Sequence, residues 1–91
     1  MLIYHVTTPK KAKLYRHTGH ICKPVRGFDT FTAAMAWAIK VGRKVIYEVS
    51  GEPGYLLPDH HNEWGKAWWI DKNVPVENIR CVLGSDEKWE K

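Results

Sequence analysis

The chain has 91 residues, of which 44% are hydrophobic and 26% charged, with five Trp and two Cys. That suits one small globular domain burying roughly 60–65% of its unfolded surface. It excludes a disulfide framework, because Cys22 and Cys81 are distant and form no CxxC pair, and a helical membrane span, because no apolar run nears the roughly 18 residues one needs.

The formal charge of +4 is unevenly spread. Residues 1–28 hold Lys10, Lys11, Lys13, Arg16, Lys23 and Arg26 and no Asp or Glu, which leaves eight basic and ten acidic residues for the remainder. A one-sided positive field attracts phosphates, nucleic acid or a dinucleotide. The first residues are apolar and the charges follow, the reverse of a signal peptide. Reduced cysteines and a cytoplasmic location are therefore expected.

Leu2–Val6 is apolar and rich in β-branched and aromatic residues, which predicts a strand. Alternation sets Leu2, Tyr4 and Val6 on one face and Ile3, His5 and Thr7 on the other. Thr8-Pro9 is a helix start, a hydroxyl cap followed by a proline. The helix runs to about Arg16 or His17, and Gly19 is the residue to end it. His20–Val25 reads as an irregular second strand bent at Pro24. Asp29 or Thr30 caps the strongest helix, Phe31–Val41, which Gly42 ends. Its predicted buried stripe is Phe31, Ala34, Met35, Ala38 and Val41.

Arg43–Val49 alternates as a strand. Tyr55–Leu57 is a short strand, Asp59–Gly65 a polar loop, and Lys66–Ile70 a further strand. Pro75–Asn78 is a helical turn and Ile79–Leu83 the last strand. The order β-α-β-α-β-β-β-β predicts an α+β fold with a small mixed or antiparallel sheet of about six strands and two helices. Residues 1–84 form the domain and 85–91 a charged tail.

His5 lies mid-strand beside the basic stretch, where an imidazole can bond a ribose hydroxyl or act as a base. Tyr4-His5-Val6-Thr7, a short helix ending near Gly19, Arg26-Gly27-Phe28-Asp29-Thr30, and Ala34 with Trp37-Ala38 on a helix resemble, in that order, the small ADP-ribosyltransferase-like domains. That group spans ADP-ribosylating toxins, RNA 2′-phosphotransferases and DNA-targeting ADP-ribosyltransferases. Val45-Ile46-Tyr47-Glu48-Val49 resembles their central strand, and Val74-Pro75-Val76-Glu77-Asn78-Ile79 the turn into their last one.

The resemblance implies NAD, or a related nucleotide, as cofactor. It implies that His5 orients the ribose and amide, with Thr7 beside it. It implies that Phe28 or Phe31 stacks on the nicotinamide and that Arg16 or Arg26 meets the pyrophosphate, a task suited to a guanidinium. Many members place a glutamate on a late strand. Lys66-Ala67-Trp68-Trp69-Ile70 stands there and has none. Glu63 is the nearest substitute, Glu48 a weaker one, and His60 or His61 fills the role where a histidine serves. The implied acceptor is a protein or a nucleic acid. A cleft between two sheets, lined by His5, Thr7 and Phe28 with Glu63 or His60 at its rim, is the arrangement this reading requires.

The alternative is a non-catalytic basic module for nucleic acid or for a protein partner, because a basic patch with exposed Trp also serves single strands. No metal site is expected. Adjacent His60 and His61 point to opposite faces, and His17-x-x-His20-x-Cys22 lacks a partner pair.

Overall fold

The computed structural model describes residues 1–52 and 54–84. The expected tail, 85–91, lies outside the described residues. Among the described residues, eight strands and two α-helices follow in the order β1 (Leu2–Thr7), α1 (Pro9–Thr18), β2 (His20–Ile21), β3 (Val25–Phe28), α2 (Phe31–Val41), β4 (Val45–Ser50), β5 (Tyr55–Leu56), β6 (Ala67–Ile70), β7 (Val74–Pro75) and β8 (Ile79–Leu83). Single 3₁₀ turns occupy Pro58–His60 and Val76–Asn78. The fold is α+β.

Six strands form one sheet in the order β5-β6-β3-β1-β4-β8, with antiparallel neighbours throughout. β2 and β7 form a separate two-stranded ribbon. The strand expected over His20–Val25 is thus two strands in two sheets. Pro24, which lacks an amide proton, falls in the break between them. The N–H of Lys23 in that break is held by the Asn73 side chain at 2.9 Å.

Alternation along β1 divides the interior. Ile3 faces a cluster that includes Ala12 and Tyr15 of α1, Ile21 and Val74 of the ribbon, and Val45, Tyr47 and Val49 of β4. Val6 faces the other cluster, with Phe28, Ile46, Ala67 and α2. Each fully buried aliphatic side chain contributes roughly 1.5–3 kcal/mol, so the two faces share the load.

Both helices start and end on the residues that local chemistry selects. The Thr8 hydroxyl accepts from the Lys11 N–H and the Thr30 hydroxyl from the Ala33 N–H. Gly19 and Gly42 close them in the left-handed region at φ 86° and 72°. The buried stripe of α2 is rotated from expectation. Ala33, Ala34 and Ala38 are buried, whereas Phe31 and Val41 are 39% and 41% exposed. Alanine lets the helix lie close on the sheet, and the larger side chains are turned to its flanks.

The loop before β6 is tied to the start of α2. Asp29 accepts from the Lys66 N–H at 2.9 Å and from Trp68 Nε1 at 3.3 Å, and the Thr30 hydroxyl donates to the Trp64 carbonyl at 2.8 Å. Gly65 is required there, because a Cβ would stand 2.8 Å from both Asp29 Oδ1 and Thr30 Oγ1.

Candidate functional site

β1 and β3 are in register at one pair, Tyr4↔Phe28. Beyond it β1 stays with β4 as far as Thr7↔Val45, and β3 stays with β6 as far as Val25↔Ile70. The sheet therefore parts into a β5-β6-β3 half and a β1-β4-β8 half. A cavity of about 450 Å³ lies there, its walls formed by both halves, α1 and the β2 segment. Its size lies within the roughly 300–1,000 Å³ typical of ligand sites.

His5 is at its floor. Its Nδ1 is 2.6 Å from the Arg26 carbonyl, and its Nε2 is 3.0 Å from the Tyr15 hydroxyl. A carbonyl only accepts, so Nδ1 carries the proton and Nε2 accepts from Tyr15. The Tyr15 oxygen then accepts from Thr7, 3.2 Å away. This gives one directed chain: Thr7 to Tyr15 to His5 to the Arg26 carbonyl. Thr7 is fully buried and Tyr15 nearly so.

Burial pulls the His5 imidazole down from 6.5 to about 4. The nearby Lys11, Arg43 and Arg26 charges act in the same direction, against the bond to the Arg26 carbonyl. The Tyr15 phenol is pushed up, first by burial and in smaller part by Cys22. At neutral pH the floor is therefore an uncharged imidazole capped by a phenol.

The walls are cationic and aromatic. Lys11, Lys23, Arg26 and Arg43 line the cleft, and among the described residues no Asp or Glu does. Arg43 Nη1 also donates to the Val6 carbonyl at 3.4 Å. Phe28, Trp37 and His60 form a row, with ring centroids 6.3 Å apart from Phe28 to Trp37 and 6.4 Å from Trp37 to His60. Phe28 is only 6% exposed. Trp37 is half-buried and His60 is exposed.

Of the residues singled out from the sequence, His5, Thr7, Arg26, Phe28 and His60 meet in this cleft. Arg16, Phe31 and Glu63 do not. Arg16 lies along a groove on the outer side of α1 with Lys10, Lys13 and His17. Phe31 packs edge-to-face on Tyr4, centroids 5.9 Å apart, on the α2 face of the sheet. Glu63 is carried away by the loop tied to Asp29 and Thr30, and it is exposed. Glu48 is engaged elsewhere, accepting from Tyr4 at 3.2 Å and from Arg80 at 3.3 Å. His61 lies outside the lining, and its Nε2 is buried without a hydrogen-bond partner.

Tyr15, Trp37 and Arg43 also line the cleft and are not among the binding or catalytic candidates read from the sequence. For Tyr15 the signal was its spacing with Ala12, three residues apart on a helix with little other apolar content than Leu14, which marks the face turned toward β1. For Arg43 no signal existed, since a cation at a strand's start reads as solvated.

Among the described residues no three His, Cys, Asp or Glu side chains gather to hold a metal ion, and no helix is long and apolar enough to cross a membrane. No protein-family model, curated protein or solved structure matches the chain.

Proposed function

We propose that the chain is a small ADP-ribosyltransferase-like domain that binds NAD or a related nucleotide in the cleft between β1 and β3. The observation that carries this reading is the convergence of His5, Thr7, Arg26, Phe28 and His60, from three separate stretches of sequence, on one cleft where the sheet parts. Four cations without a carboxylate suit a pyrophosphate. Trp37 and His60 suit a flat base or a nicotinamide ring. A ribose hydroxyl reaching the floor would displace the Tyr15 hydroxyl and donate to His5 Nε2, the only role left to that nitrogen in this tautomer. For transfer of ADP-ribose to a protein or a nucleic acid, His60 is the group at the rim where a glutamate is absent.

Calorimetric titration with NAD, set against short RNA and DNA, tests the reading. NAD should bind, and Arg26→Ala should weaken it by roughly 10- to 100-fold, the worth of a hydrogen bond to a charged group. Transfer of label from NAD, compared between the native chain and His5→Gln, tests the chemistry. Absence of heat with NAD removes the reading.

One observation favours a second reading, a non-catalytic nucleic-acid module. Lys11 and Leu14 line both the cleft and the basic groove along α1. The two surfaces are continuous, and a single strand could follow Lys10, Lys13 and Arg16 toward the cleft. Salt-sensitive binding of oligonucleotides without any NAD heat is its signature.

A further inference from the structure

His20 and Cys22 line the cleft and have no part in the reading above. They are two residues apart on an extended segment, so they share a face, while Ile21 between them is 2% exposed and points into the core. Cys22 Sγ is 3.5 Å from His20 Nε2, the separation of a thiol and an imidazole sharing a proton.

The segment is held on both sides. His20 pairs with Pro75 and Ile21 with Val74, and the Gly19 carbonyl accepts from the Val76 N–H at 3.0 Å. After the thiol, the Lys23 N–H is bonded to the Asn73 side chain. The pair therefore sits on a fixed support, as a working nucleophile and base must.

The surroundings of the thiol are open and electropositive. Cys22 is exposed and forms no disulfide. Lys23 follows it directly, Lys11 and Arg26 share the cavity wall, and no carboxylate lines the cavity among the described residues. Reactive cysteines occupy partly open, electropositive sites of this kind. Cys81 differs: its thiol donates to the Leu83 carbonyl at 3.3 Å, on the far edge strand β8.

We propose that Cys22, with His20 as its base, is a nucleophile that attacks the ligand in the cleft. Resting on the nucleotide reading, the electrophile is the anomeric carbon of the nicotinamide ribose. The Cys22 sulfur bonds to that carbon as the glycosidic C–N bond breaks. The bonding pair leaves with nicotinamide, whose pyridinium becomes a neutral base. The thiol proton passes to His20 Nε2 and then to water. The product is ADP-ribose held on Cys22 through a thioglycosidic bond, and nothing is oxidised or reduced.

Incubation of the full chain with NAD, followed by intact-mass measurement and peptide mapping, tests this. One ADP-ribose should appear on Cys22. Cys22→Ser should abolish it and Cys81→Ser should leave it unchanged. His20→Ala should slow its formation about 100-fold, the lower range for loss of a general base. Without NAD, iodoacetamide should alkylate Cys22 ahead of Cys81, and His20→Ala should slow that reaction as well. NAD binding by calorimetry with no adduct, or with an adduct elsewhere than Cys22, overturns this inference and leaves the cleft reading standing. Equal alkylation rates with and without His20 remove His20 as the base. If NAD does not bind at all, the cleft reading fails and the inference falls with it.

Discussion

His5 should make the stability of this protein fall as the solution is acidified from pH 6.5 toward pH 4, and the size of the fall can be worked out. In the unfolded chain the imidazole titrates near 6.5, and in the fold at about 4. Between those values the unfolded state takes up a proton that the folded state refuses, so acid favours unfolding. At about 1.4 kcal/mol per pH unit, the loss attributable to His5 is about 2 kcal/mol by pH 5 and about 3 kcal/mol by pH 4. The imidazole keeps some surface toward the cleft, and water there trims these figures. The assay is urea denaturation of the native chain and of His5→Gln at matched pH values from 7.5 to 4.5. Carboxylates titrate in both proteins, so the difference between the two curves isolates His5. That difference should shift by about 2 kcal/mol against the native chain by pH 5. A flat difference, or one that moves in favour of the native chain, would refute a buried neutral imidazole and the bonding chain that assigns its tautomer.

Three further outcomes follow from the same geometry. Gly27→Ala places a Cβ 2.8 Å from the Tyr4 carbonyl oxygen and 3.0 Å from Ile3 Cδ1. It should cost about 1–3 kcal/mol, visible as a Tm lower by roughly 4–8 °C per kcal/mol in a domain of this size, and an unchanged Tm would mean the two strands yield freely there. Tyr15→Phe removes the hydroxyl that joins Thr7 to His5. It should cost about 1–3 kcal/mol and, by withdrawing the donor that favours the neutral ring, raise the His5 titration point seen by NMR. Asp29→Ala deletes the acceptor for the Lys66 N–H and for Trp68 Nε1, and amide exchange should quicken at Lys66 while β1 keeps its protection.

The parts of the fold that were legible are those decided by near neighbours in sequence. Thr8-Pro9 with Gly19, and Thr30 with Gly42, bracket the two helices because caps act within one turn. Ile79–Leu83 was readable because, Arg80 apart, it is apolar between a turn and a glycine. β3 was not. Val25-Arg26-Gly27-Phe28 has no alternation, and its place between β6 and β1 rests on pairing with residues more than twenty positions away. The α2 stripe was misjudged for a related reason: periodicity finds a helical face, but the closeness of the sheet decides whether Phe or Ala occupies it. In the site, His5, Thr7 and Arg26 were visible as polar groups near a strand. Tyr15 was hidden by a helix that reads as solvated, and Glu63 was misplaced because the bonds that draw its loop toward α2 are not local.

The parting of β1 from β3 raises a question of satisfaction that the cleft residues themselves answer. Where two neighbouring strands diverge, facing carbonyls lose their ladder partners, and a buried unpaired carbonyl is costly. Carrying the register on from Tyr4↔Phe28 sets Val6 opposite Arg26. The carbonyls of both are bonded by side chains instead of strands, Arg26 by His5 Nδ1 and Val6 by Arg43 Nη1. His5 and Arg43 therefore hold the cleft open as well as line it. This is why His5→Ala is a poor probe of function: it removes the imidazole and also strands the Arg26 carbonyl. His5→Gln can keep a donor for that carbonyl while losing the titrating ring. A loss of activity in His5→Gln, with the fold intact, would then report on the chemistry at Nε2 rather than on a collapsed cleft.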